Sequence, residues 1–400
     1  MPAAPTVAFA LLGDVTGSSR ALRQIRLLAD DGAAVRVVHF GPPGPTPALP
    51  AGVEVRALPL PSARGPRLFW QAHRAVARAL RGLDADVVHA SDLHVLPAAA
   101  RAARQHGAAL VYDAREWYAG LDASHRRPWV GRVWGAVEAR YAPRCHLVLT
   151  VNDAIADRLA AERGIPRPTV VRNVAAWATA APTGQLRDRL GIPPDRPLAL
   201  YQGLFREGRG LRQLVDALRD VPEADLVLIG DGAEADALRA LADRLDGRGH
   251  VLPFTPPDAL AALTPDADVG VIVAEPLTES LRMGLPNKLF EYAAAGLPVL
   301  AGSGIEPLRD VVERTGAGEA VDPNDRPALV AALRRMLTDA PARARYREGL
   351  ARLRAEFTPE REAATFLRAY APLLRPDRPR GPGPRRDDAG RDGDAPGAGP

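Results

Sequence analysis

The chain has 400 residues, of which 46% are hydrophobic and 25% are charged, and its only cysteine excludes an internal disulfide. This composition is typical of a soluble globular protein, and the length predicts about two domains. The net charge of +4 is uneven, because residues 1–180 hold 22 arginines against 14 acidic residues, whereas residues 181–374 hold 24 basic against 29 acidic residues. We therefore expect an anionic partner for the first half, whereas the acidic second half argues against nucleic-acid binding.

In the first half, short apolar runs alternate with longer helical patterns, which is typical of βα units and a parallel sheet. The predicted strands are 7–12, 35–39, 87–89, 109–112 and 147–151. The predicted helices are 19–31, 67–82, 94–106, 128–142 and 153–163. The first apolar run is too short for a secretory signal or a membrane span. We expect a cytoplasmic protein that can associate peripherally with the inner face of the membrane.

The alternation is interrupted once and then resumes. Residues 175–197 are rich in Ala, Thr, Pro and Gly and predict a linker between an N-terminal domain, 1–174, and a second domain, 198–356. The second set of predicted strands is 198–202, 226–229, 269–273, 299–301 and 319–321. The second set of predicted helices is 210–219, 234–245, 287–295 and 325–338. The pattern predicts an α/β protein with two doubly wound Rossmann-like domains facing a central cleft.

Two further segments follow the second domain. Residues 357–374 contain a predicted helix near 360–371, which we expect to return to the N-terminal domain. Residues 375–400 contain no apolar residue larger than alanine, so this tail cannot bury a core and is predicted to be disordered.

Of the 52 basic residues, only Lys288 is a lysine. A compact ammonium can meet a phosphate where a planar guanidinium would not fit. Pro286 favours the first turn of a helix, and Glu291 lies three residues after the lysine on the same helical face. A helix N-terminus at the carboxyl edge of a parallel sheet is where such folds bind phosphorylated ligands. An ordinary i,i+3 ion pair would have the same spacing.

The predicted turn from strand to helix at 203–210 is rich in glycine and arginine. It contains Gly203, Arg206 and Arg209, and its backbone amides and guanidinium groups could cradle a diphosphate. A second glycine turn, 230–232, closes the next predicted strand in the same way. Taken alone, such turns are a weak signal.

Together the segments 201–211, 228–232, 268–271 and 286–299 resemble the donor domain of the GT-B fold glycosyltransferases, specifically the retaining enzymes of glycosyltransferase family 4. The resemblance covers roughly residues 5–372. It implies transfer of a sugar from a nucleoside-diphosphate sugar to a glycan or lipid-linked acceptor, with retention of the anomeric configuration. Cell-surface polysaccharide or glycoconjugate synthesis is the implied setting.

The resemblance also assigns roles to individual residues. Arg209 stands at the position of the family's diphosphate-binding lysine, and Glu291 at the second glutamate of its Glu-x7-Glu motif, which holds the ribose. Lys288 lies beside the diphosphate, so Arg209 and Lys288 are predicted catalytic residues. The other predicted donor-binding residues are Gly203, Arg206, Asn287 and Leu289.

The chain departs from the family pattern on the donor side. Met283 stands where the first glutamate of the motif is expected, and Leu204 stands where an arginine is usual. Arg206 is the predicted replacement for the missing cation. Glu275 or Glu279 is the predicted contact to the sugar hydroxyls.

On the acceptor side, residues 112–116 resemble a family stretch that often has histidine where this chain has Arg115. An arginine cannot act as a general base, so Glu116 is the predicted catalytic group of this wall. Arg115, Asp92 and His94 are predicted to lie on the acceptor side, although purely structural roles would explain Asp92 and His94 equally well.

Two Asp-x-Asp triplets, at 84–86 and 266–268, lead directly into predicted strands. We interpret them as polar residues at strand entry and not as metal ligands. No metal and no cofactor are therefore expected.

Residues 67–81 and 126–144 interleave arginines with large aromatic residues. Each stretch could be an amphipathic helix that packs on its own sheet. Both together, in the positively charged half, predict reversible docking to an anionic membrane surface.

Other functions stay open at this point. The departures at 115, 204 and 283 fit a non-catalytic, glycosyltransferase-like partner subunit. A nucleotide-sugar epimerase or hydrolase would use the same scaffold. A nicotinamide-dependent dehydrogenase fits less well, because no Gly-x-Gly-x-x-Gly follows the first predicted strand.

Overall fold

The computed structural model describes residues 4–41, 49–50, 52–62, 65–121, 127–174 and 181–375. Several predictions on the sequence therefore lie outside the described residues. These are the first six residues of the linker, Arg126 of the second aromatic stretch, and the tail beyond Arg375.

The N-terminal domain contains a seven-stranded sheet in the order β3-β2-β1-β4-β5-β6-β7, and every adjacent pair is parallel. Its strands are β1 Thr6–Ala10, β2 Ala34–Phe40, β3 Val53–Leu58, β4 Val87–Ala90, β5 Ala109–Ala114, β6 Leu147–Thr150 and β7 Thr169–Val170. Its helices are α1 Ser19–Asp30, α2 Pro66–Arg81, α3 Leu96–His106, α4 Pro128–Tyr141 and α5 Asp153–Arg163. The central strand β4 is buried at every residue, as expected for a parallel sheet that is covered on both faces.

The second domain contains a six-stranded parallel sheet in the order β10-β9-β8-β11-β12-β13. Its strands are β8 Leu198–Gln202, β9 Asp225–Ile229, β10 Gly249–Leu252, β11 Val269–Ile272, β12 Val299–Gly302 and β13 Gly318–Val321. The helices of this half are α6 Gln185–Leu190, α7 Leu211–Leu218, α8 Ala235–Ala242, α9 Pro257–Leu263, α10 Glu279–Arg282, α11 Asn287–Ala295, α12 Glu306–Thr315, α13 Arg326–Thr338 and α14 Ala340–Glu356.

The predicted fold class is confirmed. In each sheet the strand order reverses at one point, between β1 and β4 in the first and between β8 and β11 in the second. Ligands of doubly wound folds bind at the carboxyl ends of the strands beside such a reversal.

The last helix, α15 Pro359–Tyr370, lies on the N-terminal domain. Phe366 and Tyr370 are fully buried in the same apolar cluster as Val7 and Phe9 of β1. The hydroxyl of Tyr370 is hydrogen-bonded to Nδ1 of His89. The chain therefore crosses back from the second domain to the first.

Part of the predicted linker packs on the second domain. Leu186 of α6 is buried in the core of that domain, and the carboxylate of Asp266 accepts hydrogen bonds from the N–H groups of Thr183, Gly184 and Leu186. Long-range anchoring of this kind has no local signal, which is why the sequence showed only a loop.

The strands that the sequence analysis missed, β3, β7 and β10, are short or lie at a sheet edge. They lack the continuous apolar run of a central strand. Strand β3 alternates partly buried and exposed residues, including Glu54 and Arg56. Helices α9, α10, α12 and α14 were missed as well.

The carboxylates of both Asp-x-Asp triplets support the backbone at strand entry. Asp86 accepts from the N–H of Thr6 at 2.9 Å, and Asp268 accepts from the N–H of Leu198 at 2.9 Å. Across the described ranges, no group of three or more His, Cys, Asp or Glu residues is arranged to hold a metal. In the same ranges, no helix combines the length and apolarity needed to span a membrane.

Candidate active site

A cleft of about 800 Å³ lies between the two domains. Its walls are formed by the turns that follow the carboxyl ends of strands in both sheets. It brings together eight of the predicted site residues, which are Arg115, Glu116, Gly203, Arg206, Arg209, Asn287, Lys288 and Glu291.

Lys288 lies in the first turn of α11, and its side chain packs against the end of β8. Its Nζ lies 4.8 Å from the centroid of the Tyr201 ring. A Cβ atom at Gly203 would lie only 2.7 Å from both Cε and Nζ of the lysine, and Gly203 has a φ of +131°. The backbone conformation therefore favours glycine at 203, and the absence of a side chain leaves the space that the ammonium occupies.

Burial, followed by the nearby Arg209 and Arg206, lowers the pKa of Lys288 to about 8, although Glu291 acts in the opposite direction. The structure thus gathers three cationic side chains on one wall. Guanidinium and ammonium groups that converge in this way suit an anionic ligand such as a diphosphate.

A second glycine turn supports the first. The N–H of Gly203 donates to the carbonyl of Ile229 at 2.8 Å, and the N–H of Phe205 donates to that of Asp231 at 2.7 Å. A Cβ atom at Gly230 would lie 1.9 Å from the carbonyl oxygen of Gly203. The close contact between the two turns fixes the backbone of 203–205, which lies next to the cationic side chains.

Glu291 is positioned by a hydrogen-bonded chain that the sequence analysis did not identify. The hydroxyl of Thr264 donates to Oε1 of Gln202 at 2.9 Å, and Nε2 of Gln202 donates to the Glu291 carboxylate at 2.7 Å. The backbone N–H of Gln202 donates to the hydroxyl of Tyr292 at 3.0 Å. Lys288 makes no ion pair with Glu291, although both are among the described residues, so the i,i+3 spacing does not reflect a simple pair.

Glu116 and Arg115 follow β5 and form the facing wall. Burial raises the pKa of Glu116, and the opposing cations include Arg115 of its own domain and Arg206 and Arg209 of the other. Nη2 of Arg115 donates to the Ser18 hydroxyl at 2.7 Å. Glu116 thus faces the cationic wall from the cleft, with its side chain still exposed to solvent.

Arg20 is a cleft residue that the sequence analysis missed. Its guanidinium donates to both carboxylate oxygens of Asp113, at 2.7 and 2.6 Å. Although burial alone would raise the pKa of Asp113, Arg20 holds it below the usual value. This buried pair ties the start of α1 to the end of β5. From the sequence alone, an arginine in the first turn of a helix could equally be exposed to solvent, so the local pattern did not predict this buried ion pair.

Three predicted residues do not line the cleft. The side chain of Leu289 is fully buried in the core of the second domain. Asp92 accepts hydrogen bonds from the N–H groups of Leu12, His94 and Val95. The His94 ring is stacked 5.0 Å from the Phe69 ring. Asp92 and His94 thus make structural contacts in the N-terminal domain.

The two glutamates proposed as sugar contacts do not line the cleft either. The indole Nε1 of Trp117 donates to Glu279 at 3.3 Å, and Arg158 lies 3.7 Å from the same carboxylate. Glu275 accepts a hydrogen bond from Asn324 at 3.4 Å. Glu279 therefore joins the two domains, through a hydrogen bond between residues 162 positions apart in sequence.

Met283 also joins the domains. Its side chain packs against the apolar cluster of the N-terminal domain, and its carbonyl accepts a hydrogen bond from Nδ2 of Asn152 at 2.7 Å. The position where the family has a glutamate is thus part of a domain contact in this chain.

Helices α2 and α4 each present aromatic residues on two faces. Phe69 and Trp134 meet edge to face with ring centroids 4.9 Å apart, on the inner side. Trp70 is 59% exposed and Trp129 is 53% exposed, and the guanidinium of Arg74 lies 4.7 Å from the Trp70 ring centroid. The inner face therefore packs within the N-terminal domain, as the amphipathic interpretation predicts, whereas docking of the outer face to a membrane stays a prediction.

Comparison with known proteins matches both halves of the chain to family models. Residues 17–175 match the model described as Glycosyltransferase Family 4, and residues 183–351 match that described as Glycosyl transferases group 1. Together the two models cover the second sheet, the first sheet except β1, and the cleft between the domains.

Curated relatives match with moderate identity. A D-inositol 3-phosphate glycosyltransferase of Xylanimonas cellulosilytica is 34% identical over 52% of this chain and 49% of its own length. A lipopolysaccharide core biosynthesis glycosyltransferase, LpsE of Rhizobium meliloti, is 31% identical over 47% of this chain and 52% of its own. The chain spans about half the length of these relatives. Glycogen synthase of Mycobacterium tuberculosis is 28% identical over 73% of this chain and 70% of its own.

Solved structures share the two-domain fold. Sucrose-phosphate synthase from Thermosynechococcus elongatus superposes with a TM-score of 0.73 at 20% identity, covering 92% of this chain and 98% of its own. Anabaena Alr3699/HepE, solved in complex with UDP-glucose, has a TM-score of 0.68 at 17% identity, covering 92% and 99%.

Proposed function

Because the chain belongs to glycosyltransferase family 4, the group 1 glycosyltransferases, we propose that it transfers a sugar from a nucleoside-diphosphate sugar to a glycan or lipid-linked acceptor, with retention of the anomeric configuration. The observation that carries this proposal is the placement of Lys288, Arg206 and Arg209 on one wall of the cleft, facing Glu116.

The cationic wall would hold the donor diphosphate. Breaking the bond between sugar and phosphate places negative charge on the leaving diphosphate, and fixed cations stabilise that charge as it develops. Glu291, oriented by Gln202, would hold the ribose hydroxyls. The binding of UDP-glucose by the HepE protein, which shares the fold, supports a nucleoside-diphosphate sugar as the donor class.

The facing wall would act on the acceptor. Burial raises the pKa of Glu116, which makes its carboxylate a better proton acceptor for an incoming hydroxyl than a carboxylate of ordinary pKa. We include retention in the proposal because the segment 286–299 resembles the retaining enzymes. The anomeric configuration of the product, read by NMR from the first turnover, tests this part.

We propose that the reaction needs no metal. Three cationic side chains already converge where a divalent ion would otherwise neutralise the diphosphate. Activity that survives EDTA at the level measured with magnesium would support this. Loss of activity in EDTA that magnesium restores would contradict it.

A membrane-bound acceptor would suit the exposed face of α2 and α4. Trp70 and Trp129 present large exposed aromatic surfaces among arginines, and such a combination attracts anionic lipid. Cosedimentation with phosphatidylglycerol vesicles at low salt tests this. Retention of the protein by the vesicles, weakened by Trp70→Ala with Trp129→Ala, is the expected result, and no retention of the unmodified protein would overturn it.

The central experiment is a calorimetric titration with a panel of nucleoside diphosphates, first without metal and then with magnesium. Selective binding of one diphosphate is expected, and the corresponding sugar nucleotides then become the donors to assay. If no diphosphate binds, the proposal fails and a non-catalytic partner subunit becomes the better interpretation. If the sugar nucleotide is consumed without any acceptor, a nucleotide-sugar hydrolase becomes the better interpretation.

A further inference from the structure

A second cavity, of about 580 Å³, lies in the N-terminal domain. It is formed where α3 and α4 end and where the chain enters β5 and β6, which is the amino-terminal edge of the sheet. The donor cleft lies at the carboxyl edge, so the two cavities are at opposite ends of the strands. The basic residues of this cavity are His73, Arg101, Arg104, Arg140, Arg144 and His146.

Within the part of the chain that the structure describes, four arginines and no acidic residue line the cavity. Among the described residues, Arg104, Arg140 and Arg144 form no ion pair. Elsewhere in the chain arginines commonly have a carboxylate partner, as Arg335 has in Glu319. These three arginines thus concentrate positive charge that the described part of the fold leaves without a carboxylate partner.

Structural roles explain only part of this arrangement. Arg104 and Arg140 lie in the last turns of α3 and α4, where a cation interacts favourably with the helix dipole. Arg144 lies beyond the end of α4, and Arg101 lies one turn before Arg104. Convergence of all four on one cavity adds repulsion that capping does not require. In keeping with this, burial and then Arg101 lower the pKa of His73.

The rest of the cavity suits a compact ligand with a phosphate group. His146 is fixed at the mouth of β5, because its Nδ1 accepts the N–H of Leu110 at 3.1 Å. Tyr141 adds a hydroxyl, and Leu110 an apolar surface. The volume is that of a small-molecule site, and guanidinium forks match phosphate oxygens in pairs.

We propose that this cavity binds a phosphate ester, at a site separate from the donor cleft. The ligand could be a soluble phosphorylated compound or the headgroup of a phospholipid, since both carry the same group. The inference stands on the cavity itself and does not depend on the reaction at the cleft.

The test uses inorganic pyrophosphate as the probe in calorimetry at low salt. A triple variant, Arg104→Gln with Arg140→Gln and Arg144→Gln, should weaken binding at one site at least tenfold. The matched control, Arg26→Gln with Arg345→Gln and Arg347→Gln, removes the same charge from exposed arginines on α1 and α14 and should leave binding unchanged. Circular dichroism and melting curves establish that both variants are folded.

The donor cleft is distinguished by Lys288→Ala, which should remove a different pyrophosphate site and leave this one. Three results would overturn the proposal. The first is that the unmodified protein binds no pyrophosphate outside the cleft, and the second is that the cavity variant binds pyrophosphate with the same affinity as the unmodified protein. The third is that the control variant loses as much pyrophosphate affinity as the cavity variant. Once the site is established, phosphatidylglycerol vesicles identify the source. Release of the cavity variant from vesicles assigns the lipid headgroup, and unchanged retention assigns a soluble phosphate ester.

Discussion

The two walls of the cleft are built in different ways. The wall from the second domain comes mainly from two short segments, 203–209 and 286–291, whereas the wall from the N-terminal domain comes from residues near 18–20, 115–116, 151–155 and 173. In the first case a turn and the helix after it carry the charged groups together. In the second case only the strand order of the sheet brings distant turns to one place. Local sequence patterns therefore report most of the first wall, but only Arg115 and Glu116 of the second.

The largest expected effect is on the cationic wall. Lys288→Ala should reduce transfer by about 10³-fold or more, because it removes a fixed cation from the developing diphosphate charge, and it should weaken nucleoside-diphosphate binding. Lys288→Arg should also fail, since a planar guanidinium is wider than the compact ammonium that packs against Gly203 and the Tyr201 ring. Steady-state kinetics and calorimetry measure both effects.

Arg347→Ala, which removes an exposed cation from α14 of the same domain, is the control and should leave both quantities unchanged. Full activity in Lys288→Arg would show that only the charge matters and not the compact ammonium.

The facing wall should respond differently. Glu116→Gln should lower kcat by roughly 10²-fold to 10⁴-fold, as expected for loss of a general base, and should leave the dissociation constant of the nucleoside diphosphate unchanged. Glu54→Gln, an exposed glutamate of β3 in the same domain, is the control. If Glu116→Gln weakened diphosphate binding as much as Lys288→Ala does, the proposal that one wall binds the donor and the other acts on the acceptor would be wrong.

The pH dependence of donor binding should report the cationic wall alone. The pKa of Lys288 is lowered to about 8, and the diphosphate binds the protonated ammonium. Affinity should therefore be full below pH 8 and fall by up to about tenfold per unit as the pH rises above it. Calorimetry at a series of pH values measures this. The Lys288→Gln variant should show no such fall, and a fall that persists in it would assign the titration to another group.

The smallest expected effect concerns the contact between the domains. Met283→Glu restores the family's residue but places a carboxylate against the apolar cluster of the N-terminal domain. It should cost about 1–3 kcal/mol of unfolding free energy, measured by urea denaturation. Met283→Leu should cost less. A Met283→Glu variant that is as stable as the parent and more active would show that this position can still face the donor.

The predictions from sequence succeeded where structure is local. The limits of β8 and α11 agree with those predicted, because a buried parallel strand is a continuous apolar run and α11 is bounded by Pro286 and Gly296. The cluster of Lys288, Arg206 and Arg209 was expected from motifs within the chain. The hydrogen bonds of Gln202 and the buried pair of Arg20 and Asp113 were not, because their partners lie 62 to 93 residues away.

The sequence by itself determined the two doubly wound domains, because apolar and amphipathic segments alternate along the chain. It also determined the turns of the cationic wall, because glycine and arginine are neighbours in the sequence there. Only the tertiary structure decided that Glu279 and Met283 serve the contact between domains, and that four arginines from α3, α4 and the turn after α4 line a cavity at the far end of the N-terminal sheet. The physical reason is that hydrophobic periodicity and turn chemistry act between near neighbours. The pairing of distant side chains depends instead on how strands order themselves and how two domains meet.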